Sequence, residues 1–313
     1  MLAYFSRRVL AAIPVMGVVA LFVFLLLRLP PGDPAAIIAG DTATPAQLEA
    51  IRSGLGLDKP IPVQFITWIG QLAQGDLGTS LISKTPVTTL IGQRLGPTLS
   101  LALITMVLSI VIAVPLGVLA AWKHGTFVDS IVMAISVLGF SVPVFVIGYV
   151  LIQVFAINLR WFPVQGFSNI ENGLGPFALR ATLPAFTLAS IYVALIARMT
   201  RASLLDVLGE DYIRTARAKG VTERKVLFRH ALRNSAVPIL TVIGTGFALL
   251  ISGVVVTESV FNIPGLGRLI VDAVLARDYP VIQGLILLTS GIYVLINLLV
   301  DLSYSLLDPR IRY

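Results

Sequence analysis

The chain has 313 residues, of which 57% are hydrophobic and only 12% are charged, and its mean hydropathy is +0.92. Because a soluble domain carries roughly 25% charged residues, this composition excludes an ordinary soluble protein, and we interpret the net charge of +7 as a bias between two membrane faces rather than a nucleic-acid interface. The absence of cysteine excludes disulfides, thiolate metal sites and a cysteine nucleophile, and His124 and His230 are too far apart in sequence for a histidine metal centre to be expected.

Six apolar stretches are long enough to cross a bilayer, which takes about 20 residues in a helix. Each is predicted to be a helix, because backbone groups in lipid must hydrogen-bond within their own segment. The stretches are Val9–Leu29, Thr98–Trp122, Ile131–Leu159, Leu183–Met199, Val237–Thr257 and Val281–Leu306. We expect the first to be retained, because its apolar run exceeds the roughly 7–15 residues of a signal-peptide core.

Lysine and arginine near the helix ends predict the orientation. With the N-terminus inside, most of the 23 basic residues fall on inner segments, so both termini are predicted to be cytoplasmic. The sequence thus predicts an all-α, polytopic membrane protein with about six transmembrane helices. We divide it into an N-terminal helix at 1–29, an extracytoplasmic segment with short helices at 30–97, and a five-helix core at 98–313.

The segment 30–97 carries local helix signals. Thr44–Gln47 has the N-cap, first-turn proline and glutamine of a capping box, and Gly54 and Gly56 are predicted to end that short helix. Residues 75–78 predict a turn. An apolar stripe at helical spacing is predicted either to lie in the outer membrane interface or to pack on the protein's own helices; it consists of Phe65, Trp68, Ile69 and Leu72.

Three prolines, Pro14, Pro115 and Pro143, lie inside predicted spans. Each removes a backbone hydrogen bond and is expected to kink its helix. Two interpretations remain open, namely static kinks that help helices pack and hinges for a conformational cycle.

A basic loop at 198–234 is predicted to face the cytoplasm. Gly220 is placed to end one helix in a left-handed conformation, and Thr222 and Glu223 are placed to start a short second helix. The apolar triplet Val226–Phe228 follows on that helix. One face of the first helix is predicted to carry Leu205, Leu208, Tyr212 and Ala216.

Basic juxtamembrane loops are most often explained by the positive-inside rule or by attraction to anionic lipid. Neither explains the glycine or the apolar triplet. The stretch 214–220, running on to Leu232 and Pro238, resembles the cytoplasmic signature loop of ABC-importer permeases. It departs from the family form at Arg214 and Thr215, where Glu-Ala is usual, whereas Ala216 and Gly220 match.

Other segments resemble the dipeptide, oligopeptide and nickel branch of that family, and the long outer segment resembles the B-type subunit of its permease pair. These segments follow one another along nearly the whole chain. They are Pro31–Pro34, Gly75–Ser80, Trp161–Pro163, Asp211–Gly220, Phe261–Gly267, Arg277–Gly284 and Leu307–Tyr313.

The resemblance implies a type I ABC-importer permease in the plasma membrane of a prokaryote, which forms half of a pathway for dipeptides or short oligopeptides. It implies a second homologous permease, two cytoplasmic ATPase subunits that carry ATP and magnesium, and an extracytoplasmic binding protein as partners, with membrane lipid around them. The chain itself is expected to be no enzyme and to bind no cofactor or metal. No Gly-Lys dipeptide of a phosphate-binding loop occurs in it, so ATP hydrolysis is expected to come from a partner.

The resemblance also implies that the short helix after Gly220 docks in a cleft of the ATPase. The residues expected to form or shape this contact are Ala216, Gly220, Val221, Thr222, Glu223, Arg224, Lys225, Val226, Phe228 and Arg229. Apolar residues of the helix would anchor the partner, and the charged residues around them would steer it.

Polar residues within predicted spans are the candidates for contact with the pore or the binding protein. They include Ser141, Gln153, Thr245, Ser252 and Glu258. Serine and threonine in such positions more often bond to their own helix, and a structural ion pair or solvated edge is an equal alternative for Glu258.

Two other classes of protein have a polytopic, basic sequence of this general kind. A secondary transporter is expected to show internal repeats and broken helices around a midplane ion site, and no convincing repeat is present. An intramembrane enzyme is disfavoured because His-Glu-x-x-His and Gly-x-Gly-Asp motifs are absent. Within the importer class, nickel chelates and haem remain alternative cargoes.

Overall fold

The computed structural model describes residues 2–26, 35–36, 44–54 and 56–307. Within these ranges the regular structure is helical, with one isolated bridge between Thr79 and Pro86 and no strand, which confirms the all-α prediction. The motif at 31–34 and all but the first residue of the motif at 307–313 lie outside the described residues.

The described helices are numbered here in chain order. They are α1 (Leu2–Leu26), α2 (Pro45–Gly54), α3 (Ile61–Ala73), α4 (Val87–Trp122), α5 (Phe127–Ser141), α6 (Val144–Leu151), α7 (Leu174–Leu208), α8 (Asp211–Ala218), α9 (Glu223–Lys225), α10 (Leu232–Asn234), α11 (Ala236–Gly253), α12 (Val255–Val260), α13 (Leu266–Leu275) and α14 (Tyr279–Leu307). Two π-helical segments, Ile152–Asn158 and Val226–Ala231, continue α6 and α9, and a 3₁₀ turn occupies Ile170–Asn172.

Long apolar helices account for the predicted membrane spans. In the described part of the chain, α1, α4, α7 and α14 are each long and apolar enough to cross a bilayer. Two bent pairs, 127–158 and 223–251, raise the number of candidate spans to six if each pair is one span. The prediction of about six transmembrane helices is therefore confirmed.

The third predicted span, 131–159, is not one helix. Helix α5 ends at Ser141, Val142 is extended (φ −82°, ψ 127°), and α6 begins after Pro143 at an angle of 100° to α5. Proline disfavours the helical conformation in the residue before it, so the break falls at Val142. Pro143 therefore breaks the helix, where only a kink was predicted. Pro14 and Pro115, in contrast, lie within continuous helices.

The fourth and fifth predicted spans also have different bounds in the structure. Helix α7 covers 35 residues and extends well beyond 183–199 at both ends. Helix α11 starts at Ala236 with Pro238 in its first turn, where a proline costs no helical hydrogen bond, and the segment 237–257 breaks at Val254 before the short helix α12.

The chain divides into two compact units. The larger comprises residues 1–5, 95–268 and 292–313. Its apolar core buries side chains from α4, the π-helical segment after α6, α7, α11 and α14, together with Phe261 and Ile263. Gly117 lets α4 approach α7 closely, since a Cβ at this position would overlap the carbonyl oxygen of Ala197 and the side chain of Thr200.

The second unit comprises residues 6–94 and 269–291. The capping box is confirmed, because the Thr44 backbone N–H donates to Gln47 Oε1 (2.9 Å) and the Gln47 N–H donates to Thr44 Oγ1 (3.4 Å). The apolar stripe of α3 packs on the protein's own helix, with the Phe24 ring of α1 at 5.1 Å from Phe65 and 5.6 Å from Trp68. Of the two interpretations of this stripe, the structure supports internal packing.

The motifs at 75–80 and 277–284 are hydrogen-bonded to each other within this unit. Asp278 is buried and accepts hydrogen bonds from the Ser80 hydroxyl (2.5 Å) and the Leu81 backbone N–H (3.0 Å). Gln283 Nε2 donates to the carbonyl of Val23, which joins α14 to α1. Ser80 of the motif 75–80 and Asp278 of the motif 277–284 are therefore joined by a hydrogen bond.

Candidate functional site

The segment after α7 begins with a change of helix direction. Gly209 caps α7, Glu210 is extended (φ −70°, ψ 146°), and α8 starts at Asp211. The predicted single face formed by Leu205, Leu208, Tyr212 and Ala216 is wrong, because these residues belong to two helices. The buried residue of α8 is Ile213, whereas Tyr212 is exposed and its hydroxyl accepts a hydrogen bond from Asn234 (2.7 Å).

The elbow at Gly220 is confirmed. Gly220 has φ +78°, its N–H donates to the carbonyl of Arg217 (2.9 Å), and the Val221 N–H donates to the carbonyl of Ala216 (3.2 Å). These two hydrogen bonds define a Schellman motif, in which a glycine adopts the left-handed conformation without a Cβ penalty. Since no heavy atom would lie within 4 Å of a Cβ at Gly220, the requirement for glycine is one of backbone conformation.

The short helix after the elbow starts where the sequence predicted. Thr222 is extended at the N-cap position, although its side chain makes no capping hydrogen bond, and α9 begins at Glu223. Glu223 pairs with Arg217 across the elbow (Nε to Oε1, 2.7 Å). The π-helical turn and α10 then lead to α11, with a bend of 60°.

The apolar triplet is divided between the interior and the surface. Val226 has 0% of its surface exposed and Leu227 is also buried, whereas 54% of Phe228 is exposed. The prediction that Val226 forms part of an outer contact is therefore wrong, because the turn directs its side chain into the protein's own core. Ala216 and Val221 are half-buried, and the other predicted contact residues are exposed.

We call the exposed residues the elbow surface. They are Gly220, Thr222, Glu223, Arg224, Lys225, Phe228 and Arg229. Behind them lies a buried cluster, which we call the apolar base. It consists of Val118 and Ala121 from α4, Leu204 from α7, Ile213 from α8, and Val226 and Ala231. The elbow surface is thereby fixed to the ends of α4 and α7.

A charged cluster ties α7 to α5 near the same end. Arg201 Nε lies 2.5 Å from Asp129 Oδ1, and Arg201 Nη2 lies 2.7 Å from Asp129 Oδ2, so the pair is bidentate. Asp129 is buried and also accepts a hydrogen bond from the Gly125 N–H (3.1 Å), and His124 Nδ1 lies 3.1 Å from its carboxylate. Bidentate pairs of this kind fix geometry as well as supplying energy.

Sequence reasoning missed this cluster. It treated Arg201 as one charge in a basic loop and did not consider Asp129. The available signal was an isolated carboxylate at the start of an apolar span, because a carboxylate in such a place is retained only with a cationic or hydrogen-bonding partner.

The candidate pore residues make mostly local contacts. The Ser141 hydroxyl donates to the carbonyl of Val137 (2.8 Å), and the Thr245 hydroxyl donates to that of Thr241 (2.8 Å), which confirms the expected bonding to their own helices. Gln153 Nε2 donates to Asn158 Oδ1 (3.2 Å) on an exposed face. The side chain of Ser252 lies outside the described residues.

Glu258 is an internal anchor rather than a surface contact. Its side chain is fully buried, with Oε1 accepting from the Thr98 hydroxyl (2.6 Å) and Oε2 from the Arg268 N–H (2.9 Å). Thr98 Oγ1 in turn accepts from the Leu266 N–H (2.8 Å). The expectation that Glu258 contacts the pore or the binding protein is corrected, since burial and backbone hydrogen bonds assign it to holding the loop 261–268.

No group of three or more His, Cys, Asp or Glu side chains with metal-site geometry occurs among the residues for which side chains are described. The elbow surface presents one exposed aromatic ring among charged side chains.

The fold is that of a polytopic, helical membrane protein. Comparison with family models matches residues 113–313 to the binding-protein-dependent transport system inner membrane component, and residues 1–102 to the N-terminal part of the same type of component. The chain belongs to this family of transport permeases and is a multi-pass plasma-membrane protein of a prokaryote.

Full-length relatives agree with this assignment. A probable peptide ABC transporter permease of Sinorhizobium fredii is 56% identical, over 99% of both chains. A glutathione transport system permease of Pectobacterium atrosepticum is 46% identical, over 100% of both chains. Among solved structures, the inward-facing MetNI methionine ABC transporter matches with a TM-score of 0.57 and 18% identity, over 71% of this chain and 97% of that chain, which supports the fold.

The packing around Glu258 predicts that Gly265→Ala destabilises the protein. A Cβ at position 265 would overlap the buried carboxylate of Glu258, and overpacking of this kind costs about 1–3 kcal/mol. Thermal unfolding of the purified protein should show a lower midpoint. Gly175→Ala in α7 is the matched control, because no atom would lie within 4 Å of its Cβ, and a midpoint equal to that of Gly265→Ala would contradict the prediction.

The Arg201–Asp129 pair predicts a non-additive pair of substitutions. Arg201→Met leaves a buried carboxylate without its main partner and should cost about 3 kcal/mol, whereas adding Asp129→Leu should restore much of the loss. Thermal unfolding of both variants measures this coupling. The control is Arg214→Ala, since the ion pair of Arg214 with Asp211 is exposed and should contribute under about 1 kcal/mol. Additive losses in the double variant would argue against the pair.

Proposed function

We propose that this chain forms half of the translocation pathway of an ATP-driven ABC importer for dipeptides or short oligopeptides. Its proposed partners are a second homologous permease, two cytoplasmic ATPase subunits and an extracytoplasmic binding protein. ATP and magnesium are held by the ATPases, and this chain is not itself catalytic. Family membership supports the permease role, and the names of the relatives at 46–56% identity support a peptide cargo.

The main support for the proposal is Phe228, an exposed aromatic residue that directly follows two buried residues. Phe228 follows two buried residues, Val226 and Leu227, so its position is set by the apolar base. An interface anchor needs a large apolar side chain that is held in place before the partner arrives, because less conformational entropy is then lost on binding. The charged side chains of Arg224, Lys225 and Arg229 surround this anchor and would select the partner.

The apolar base also connects the elbow surface mechanically to the membrane-spanning helices. A displacement of the elbow surface acts directly on α4, α7 and α8 through the apolar base. Because Arg201 is bonded to Asp129, movement of α7 would also be passed to α5. We infer that closure of the ATPases moves this surface and thereby switches the pathway between its inward-facing and outward-facing states.

The alternative of a secondary transporter would leave the elbow surface without a partner. The glutathione permeases among the relatives extend the proposed cargo to a small peptide with an unusual linkage. Nickel chelates and haem remain the alternatives for the cargo within the importer class, and uptake measurements distinguish them.

Replacing Phe228 with Asp tests the docking site. We expect association with the ATPase to weaken by roughly 30-fold, as loss of an interface anchor costs about 2 kcal/mol or more, while the variant still folds because the side chain is outside the core. Co-purification of the ATPase and ATP-dependent uptake are the measurements.

Phe127→Asp is the matched control for that experiment. Phe127 is also an exposed aromatic residue, it begins α5, and it lies outside the elbow surface, so the ATPase should still co-purify. Normal association and normal uptake by the Phe228 variant would exclude this docking site.

The cargo is tested with the co-purified assembly in liposomes. We expect ATP-dependent uptake of a dipeptide or tripeptide in the presence of the binding protein, and none of a nickel chelate or haem. Uptake without ATP, driven by an ion gradient, would contradict the importer class itself. Uptake of haem or nickel chelates alone would retain the class and overturn the peptide assignment.

A further inference from the structure

An apolar groove lies beside the elbow surface in the larger unit. It has a volume of about 440 Å³ and is lined by residues of α4 and of the segment after the elbow. The lining residues are Pro115, Val118, Leu119, Trp122, Arg224, Leu227 and Phe228. Leu119, Trp122 and Phe228 are exposed, so the groove is open along one side.

The groove runs along a membrane-spanning helix. Positions 115, 118, 119 and 122 share one face of α4 and cover about 10 Å of its length. Trp122 is the last residue of this candidate span, and tryptophan is enriched where a span meets the headgroup region. The Pro115 end therefore points towards hydrocarbon, and the Trp122 end lies at the headgroup level.

Two basic side chains border the groove. Arg224 lines the groove, and Lys123 Nζ lies 4.7 Å from the centroid of the Trp122 ring. Glu223 is already paired with Arg217. Within the described ranges, neither Arg224 nor Lys123 has a carboxylate partner. An apolar groove bordered by Arg224 and Lys123 matches a molecule with an alkyl chain and an anionic head.

We propose that this groove binds one anionic phospholipid, with an acyl chain along Pro115–Trp122 and the phosphate at Arg224 and Lys123. A bilayer supplies an acyl chain that lies parallel to the span, as this face of α4 does. Basic residues next to a span attract anionic lipid in the same way. The inference requires only this chain and a membrane, and it goes beyond the proposed transport activity.

Site-specific photocrosslinking tests the occupant. A benzophenone amino acid replaces Leu119 in the chain, which is co-purified with its partner subunits and reconstituted in phosphatidylcholine vesicles with a minor fraction of phosphatidylglycerol. Mass spectrometry then identifies what is joined to position 119. We expect phosphatidylglycerol adducts above its share of the bilayer, by about five-fold for each cation.

Charge variants and a second probe position make the test specific. Arg224→Gln with Lys123→Gln should return the adducts to the bilayer ratio, whereas Arg229→Gln, an exposed neighbour outside the groove, should leave the enrichment unchanged. A benzophenone at Val111, which is exposed on α4 outside the groove, should report the bilayer ratio in all cases. Pro115 is the substitute probe position if the Leu119 variant fails to assemble.

Three outcomes would overturn the proposal. Adducts at position 119 in the bilayer ratio would mean that the groove has no preference for anionic lipid. Crosslinks to the ATPase or to the second permease would assign the groove to a protein partner. Enrichment that survives the double charge variant would show that Arg224 and Lys123 do not hold the phosphate. None of these outcomes depends on the cargo or on ATP-driven uptake.

Discussion

Burial of the apolar base is the interaction on which the proposed mechanism depends. Val226 and Ile213 lose all their exposed surface against Leu204 and Val118, and each such side chain contributes about 1.5–3 kcal/mol when fully buried. Without that contact, the segment between Gly220 and α11 would be a charged loop tethered only at its ends. With it, the charged residues and Phe228 occupy fixed positions at the ends of two spans.

Helix α7 is the element that integrates these contacts. It meets α4 at Gly117, bonds α5 through Arg201 and Asp129, and contributes Leu204 to the apolar base. A close approach at glycine, a bidentate ion pair and an apolar contact thus all fall between Ala197 and Leu204 of this 35-residue helix. Interfaces of this type have discrete arrangements rather than continuous deformation, which is the property that a two-state transport cycle requires.

Local chemistry was predictable from the sequence, and tertiary burial was not. The capping box at Thr44 and the elbow at Gly220 were foreseen because both depend on residues within six positions of each other. The burial of Val226 and the exposure of Phe228 were not predicted. Sequence does not distinguish two nearby apolar residues until the packing of α4 and α7 around them is known. The burial of Glu258 was not predicted for the same reason. Its partners are the hydroxyl of Thr98, which is distant in sequence, and the backbone N–H of Arg268, which no sequence motif indicates.

The long-range contacts of Glu258 constrain the order in which the protein can fold during synthesis. Thr98 and Glu258 are separated by 160 positions, so their hydrogen bond forms only after most of the core has left the ribosome. Contacts between distant residues carry the cost of closing the intervening chain. The loop 261–268 is consequently a late element of membrane assembly. Until it closes, the early spans lack this internal anchor.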